Sequence, residues 1–252
     1  MKLTRAVDLA REFSVDGTSG ETKHPALHPG SGLSFLLCCT TRFLMSETLY
    51  RRYTDLPALV HLLTTRKLTL LDPGSWDDKN DSYFLSTYKE KKNLKSVLAL
   101  CFTTAPETYH HWRVFSSGAS GVCVHFDVTL LRNAMKQTKG VKFREMKYLK
   151  VNELRTKRPT VSQLPFIKRY PFNPEREVRA LWESKDESRN FLDVPFDLAA
   201  IKRITVSPWL HPSLRKSLVS ALKSIEGCEH IKIWRSTLTE NAAWEQYGSS
   251  AT

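Results

Sequence analysis

The densest chemistry in this chain lies at Glu175-Arg176-Glu177-Val178-Arg179, where charge alternates with apolar bulk as far as Trp182. Read as a half-buried strand, the spacing puts Glu175, Glu177 and Arg179 on one face. Such a face is either solvated, with ion pairs each worth little, or it aims a carboxylate and a guanidinium into a cleft. A second acidic group, Asp77, Asp78 and Asp81, surrounds Lys79 in the loop DPGSWDDKND. Its spacing departs from a calcium loop and no Glu closes it, so Asx-turn and helix-capping chemistry is the expected role. The adjacent pair His110-His111 would point about 100° apart on a helix, which argues against a shared ion. No metal is expected.

Basic residues form the third group. The chain has a net charge of +12, which fits an anionic partner or a solvated basic surface. Between Arg132 and Arg189 there are 16 Lys/Arg against 7 Asp/Glu, so this stretch carries +9 of the total. Phe166, Tyr170 and Phe172 are interleaved with it, an arrangement that suits base stacking and equally suits a loop anchored to a core. Lys168, Arg169 and Arg176 are the candidate contacts to nucleic acid or an acidic protein partner.

These residues need a frame. The apolar runs 97–102 and 122–126 are too short for helices and are bounded by turn residues, so they read as strands. A helical stretch over 107–117 lies between them and brings Tyr109, Trp112 and Phe115 near one face. These three elements are expected at the centre of the domain. Upstream, 49–53 reads as a strand with Arg51 and Arg52 on opposite faces. Asp55 caps a helix with Pro57 in its first turn and Leu59, Leu62 and Leu63 as its apolar stripe. Residues 68–71 form a further strand. Downstream, Asp127 caps a helix carrying Leu130, Leu131 and Ala134, with Gly140 as its stop, and 141–149 alternates as a strand. Residues 150–174 are irregular, with four prolines. Then come a strand at 201–206, an amphipathic helix at 212–225, a last strand at 231–234, and a tail with Trp244.

Strands and helices mix without a βαβ repeat, which points to a single α+β domain over 45–240 with mixed, mainly antiparallel sheets and flanking helices. Residues 241–252 would be a tail. Residues 1–44 lack periodicity and are rich in Gly, Ser, Thr and Pro; they read as a disordered or non-native extension, with Met45 as the natural start. Removing them should leave thermal stability unchanged. The apolar run 33–44 is shorter than the roughly 20 residues of a membrane span. Five cysteines without framework spacing argue for a reducing, cytoplasmic setting.

Several of these pieces together resemble a widespread prokaryotic family, domain of unknown function 2971. They are Leu49-Tyr50-Arg51-Arg52-Tyr53, Leu68–Leu70, the loop at Trp76–Asp81, Cys101-Phe102-Thr103, Trp112 with Phe115, Gly121–Asp127, and Glu175-x-Glu177-x-Arg179. The resemblance spans about 47–238; the Trp-Asp-Asp loop and Phe115 depart from the family pattern. A looser similarity in the order of parts is to ADP-ribosyltransferases, which hold NAD in a cleft between two small sheets. That similarity implies an ADP-ribosyltransferase-like fold, NAD as substrate, and a role in a toxin or antiviral effector. By position it gives Arg51 or Arg52 the anchoring of the nicotinamide riboside and Trp112 or Tyr109 the stacking. Arg179 would lie among the ligand contacts. Glu177, with Glu175 beside it, would be the carboxylate facing the ribose. A non-enzymatic basic module acting through 132–189 is the alternative. A magnesium nuclease built on the acidic groups is third, because no lysine-bearing strand follows the acids at nuclease spacing.

Overall fold

A computed structural model describes residues 49–251; the expectations for residues 1–44 lie outside the described residues. The chain opens with β1 (Leu49–Asp55), α1 (Leu56–Thr65) and β2 (Lys67–Leu71). Asp55 accepts from the Ala58 N–H at 2.9 Å, and Arg66, at φ 56°, closes the helix by donating to Leu62 O. Leu59, Leu62 and Leu63 are buried, as their spacing implies. Next come α2 (Lys79–Lys91), β3 (Ser96–Thr103), α3 (Tyr109–Phe115), β4 (Gly121–Asp127) and α4 (Val128–Gln137). Asp127 caps α4 through the Thr129 and Leu130 N–H groups. The remainder is β5 (Lys142–Glu145), β6 (Lys147–Leu149), α5 (Val151–Thr156), β7 (Ile167–Arg169), β8 (Glu177–Ser184), β9 (Phe191–Pro195), β10 (Ile201–Val206), α6 (Pro212–Lys223), β11 (Ile233–Arg235) and α7 (Ala242–Ser249).

Nine strands form a mainly antiparallel sheet in the order β11-β10-β4-β1-β3-β2-β9, with β8 added on β3 and β5 on β8. The architecture is α+β. Pairing is not uniform. Strand β1 matches β4 over seven residue pairs but meets β3 only at Arg51–Thr103. Strand β3 matches β8 over eight pairs but meets β2 only at Leu71–Ala99. The sheet therefore divides beside Arg51 into a β11-β10-β4-β1 ribbon and a β3-β8-β5 ribbon. The parallel pair β10–β11 is bridged by α6, as a crossover requires.

One sheet face is the main core. Leu98, Leu100 and Phe102 of β3 pack there with Val178 and Ala180 of β8 and with Val122, Val124 and Phe126 of β4. On the opposite face, Val97, Ala99 and Leu181 pack beneath Leu85 and Tyr88 of α2 and the turn residues Leu164 and Phe166.

Several expectations change. The strands read at 97–102 and 122–126 exist, but β1 lies between them and is the true centre. Of the three aromatics on α3, only Trp112 is buried; Tyr109 is 51% and Phe115 39% exposed. Steps of three residues rotate about 60° each, so over one short helix the flanking rings fan outward. The strand read over 141–149 breaks at Met146, whose N–H donates to Glu177 O at 2.9 Å, and its halves join different sheets. Glu175 is not in a strand. It ends a 3-10 turn, Tyr170–Glu175, that contains Pro171 and Pro174, and Arg176 at φ 43° delivers the chain into β8. The tail is helical as α7, with Trp244 and Tyr247 exposed.

Candidate active site

Strand β8 presents Glu177 and Arg179 on the face away from the main core, opposite Thr103 and Cys101 of β3. The turn at Arg176 folds Glu175 back beside them, and Thr103 Oγ1 donates to Glu175 O. Arg179 is fully buried, with four hydrogen bonds and one further ion-pair contact around its guanidinium. It grips Asp81 at both oxygens (2.9 and 2.6 Å), Glu177 Oε1 through Nε and Nη2 (2.8 and 2.7 Å), and the Pro165 carbonyl at 2.9 Å. The Trp76 ring covers the guanidinium at 4.9 Å. From β7, Lys168 Nζ reaches Glu175 Oε2 at 2.7 Å and Glu177 Oε2 at 3.2 Å.

Three carboxylates against two cations would leave this buried group at −1 if all were ionised. The environment sorts them. Burial would raise Glu177, but Arg179 and Lys168 outweigh it and hold its carboxyl below the usual range. For Asp81 and Glu175 burial wins, and both are raised. Asp81, gripped at both oxygens by a guanidinium, is the poorer host for a proton. Of the three, only Glu177 is held toward the ionised form.

A register row links this cluster to the rest of the face. Glu177 lies opposite Thr103, Thr103 opposite Arg51, Arg51 opposite His125, and His125 opposite Arg203. Directly opposed residues of antiparallel strands point to the same side, so all five share one face. At about 4.8 Å per strand the row from Glu177 to Arg51 covers about 10 Å. Arg51 Nη1 donates to Ala105 O at 2.8 Å. His125 Nε2 shares a hydrogen bond with Thr205 Oγ1 at 2.9 Å; burial, with Arg203 and Arg51 beside it, pushes its pKa down to about 3. The α3 helix covers Tyr53, whose ring stacks on His111 at 5.3 Å and meets Trp112 edge-on at 5.1 Å.

Among the described residues, seven side-chain polar atoms are buried without a hydrogen-bond partner. Five of them lie on or against this face: Arg51 Nε, Tyr53 Oη, His111 Nε2, His125 Nδ1 and Arg203 Nε. Orphaned groups of this kind are rare in folded proteins, and five of the seven are concentrated on this face. Beyond β10 the face opens into a groove of about 680 Å³ lined by Arg203, Thr205, Arg215, Trp234 and Arg235, with Glu107 also in its wall.

The sequence-predicted residues separate accordingly. Glu175 and Glu177 are brought together by Lys168, and Arg51 shares their face two strands from Glu177. Arg52 points to the other face and donates to Cys101 O at 3.2 Å. Trp112 is fully buried, and its Nε1 donates to Glu107 Oε1 at 2.6 Å, so no ring face remains for a ligand. Tyr109 is exposed, with its hydroxyl accepting from Arg113. Arg179 is fully buried and engaged by Asp81, Glu177 and the Pro165 carbonyl, so it is not exposed to a ligand. Lys168 is sequestered by two carboxylates and is not a surface phosphate contact, whereas Arg169 and Arg176 are exposed. The solvated-face reading of Glu175, Glu177 and Arg179 fails, because all three are buried. Asp78 caps α2 and Asp72 its own turn, but Asp81 is an internal partner of Arg179 and not a cap. With Asp81, Glu175 and Glu177 engaged by cations, no group of metal-ligating side chains assembles among the described residues. His125 and Arg203 were missed; His125 interrupts the apolar run of GVCVHFD, and Arg203 sits beside Lys202 in IKRITV with no signal of its own.

No family model matches the chain, so the resemblance to the domain of unknown function 2971 is not supported there. No curated protein matches it. Among solved structures, the chain is loosely similar to DarT of Thermus sp. 2.9. The DarT complex with ADP-ribosylated single-stranded DNA aligns at a TM-score of 0.40 and 12% identity, over 75% of this chain and 94% of that one. The complexes with NAD+ and carba-NAD+ align at a TM-score of 0.39, with 12% and 11% identity, over 76% of this chain and 96% of theirs. Among the described residues no helix is long and apolar enough to cross a membrane.

Proposed function

We propose that this chain is an NAD-cleaving enzyme of the ADP-ribosyl-transferring kind, with Arg51 anchoring the nicotinamide riboside and Glu177 facing the ribose. One observation carries the reading: Arg51, Thr103 and Glu177 occupy a single register row on one face, where the sheet divides into two ribbons. A binding module that used its basic surface alone would need no such convergence. The reaction breaks the bond between the ribose C1′ and the nicotinamide nitrogen. The bonding electrons leave with nicotinamide, and positive charge builds on the ribose. An ionised carboxylate in a dry site stabilises that charge. Arg179 and Lys168 keep Glu177 ionised and hold its orientation, and a water or acceptor nucleophile then attacks C1′. Glu177 is 6% exposed, so NAD reaches it only through a local rearrangement of the residues that cover it.

The test is nicotinamide release from NAD, followed by chromatography in wild type, Glu177→Gln and Glu175→Gln, with a melting curve for each. Glu177→Gln should lose on the order of 10²–10³ in rate, and Glu175→Gln much less, since Glu177 stands in the register row with Arg51 and Glu175 lies on the turn before it. An inactive wild type, or two variants that match it, refutes the assignment.

A further inference from the structure

The groove beyond β10 is not needed for the span between Arg51 and Glu177, yet its walls have a distinct composition. Arg203 lies over the Trp234 ring at 4.8 Å, and that ring is half exposed. Arg215 on α6 is exposed and faces the same space. Arg235 donates to Pro208 O at 2.8 Å and to Glu240 at 2.9 Å, while its Nε is buried without a partner. The acid in the wall, Glu107, is occupied by the Trp112 N–H. Three arginines against this single wall carboxylate leave positive charge dominant in the groove.

A second platform stands next to Pro208. Arg113 lies over the Trp209 ring at 4.2 Å and over Tyr109 at 5.1 Å, and the two rings meet edge-on at 5.7 Å. Aromatic faces alternating with guanidinium groups provide the two interactions that a nucleotide offers, stacking for the base and charge for the phosphate. A lone phosphate would leave the exposed rings without a role, and an apolar ligand would leave the arginines unsatisfied. The volume of about 680 Å³ is in the range of small-molecule sites.

We infer that this groove binds a nucleotide unit, with its phosphate on Arg203 and Arg215 and its base on Trp234. Two sources share that chemistry, a free nucleotide and a single strand of nucleic acid.

The test is fluorescence anisotropy with a labelled oligothymidylate in the absence of NAD, over a salt series, with AMP as competitor. Wild type should bind the strand. Trp234→Ala should weaken it about 5- to 150-fold, the loss of one base–aromatic stack. Arg203→Gln/Arg215→Gln should reduce the salt slope by about 1.4, since each single-strand phosphate contributes about 0.7. Displacement by AMP at its own affinity assigns the groove to free nucleotide, and resistance assigns it to the polymer; both support the inference. No binding by wild type, or binding by both variants equal to wild type, overturns it. Trp234 is half exposed, so its variant should melt like wild type. Nicotinamide release measured on the same samples keeps this result separate from the NAD-cleavage reading, which Trp234→Ala should leave intact.

Discussion

Replacing Arg179 with Met removes the hub of the buried cluster while keeping most of the side-chain volume. Asp81 loses both of its charge-assisted hydrogen bonds, the Pro165 carbonyl loses its donor, and Glu177 keeps only Lys168. Breaking a buried pair from one side typically costs about 3–5 kcal/mol, because a charge is left desolvated and unpaired. For a chain of this size that corresponds to a fall in Tm of roughly 6–20 °C. The double variant Asp81→Leu/Arg179→Met removes both partners and should lose far less than the two single losses combined, since apolar replacement of a buried pair is often neutral. The deficit of Arg179→Met also has a defined pH dependence. Without the guanidinium, Asp81 and Glu177 bind protons more tightly folded than unfolded, so the variant gains stability relative to wild type as pH falls. Urea unfolding at pH 7 and pH 5 measures all of this. A single-variant loss below about 1 kcal/mol, the value of an exposed pair, would refute the buried-hub account. So would additive losses in the double variant, or a deficit that widens at pH 5.

Lys168→Met takes the shared cation from Glu175 and Glu177, so the carboxyl that must be ionised should titrate higher. The acid limb of the nicotinamide-release profile should move to higher pH, and an unmoved limb would detach Lys168 from the site. Trp112→Ala empties a fully buried position and should cost about 3–5 kcal/mol, read as a shifted urea midpoint; a loss of NAD turnover at unchanged stability would place the ring at the ligand instead. His125→Gln tests the neutral histidine. Its folded pKa of about 3 lies below the ordinary 6.5, so the unfolded chain binds more protons between those values and wild-type stability declines across that window on acidification. The variant should show a flatter profile from pH 6.5 to 4, and an identical slope would contradict the buried placement.

Local signals were strong enough to read from the sequence wherever neighbours in the chain decide the outcome. Asp55 and Asp127 are caps because a carboxylate just before a helix finds free N–H groups within three residues. The runs of β3 and β4 are strands because their length and turn boundaries leave little else. Glu177 and Arg179 share a face because strand periodicity is two. Residues far apart in sequence followed no such rule. That Arg51 stands in one row with Thr103, Glu177, His125 and Arg203 depends on register across five strands, and a slip of one residue would turn each side chain to the opposite face. The exposure of Tyr109 beside the complete burial of Trp112 depends on which flank of a seven-residue helix meets β1. Asp81, read as a capping residue, became the partner of Arg179 only because α2 packs over β8, a contact 98 residues away along the chain. Lys168, a cation in a basic stretch and so read as a surface contact, was drawn inward by two carboxylates on the turn and strand that follow it. Charge composition sets the sign of the long-range field, but which charges face water and which neutralise one another is decided by tertiary packing, because desolvation acts only where the chain folds over them.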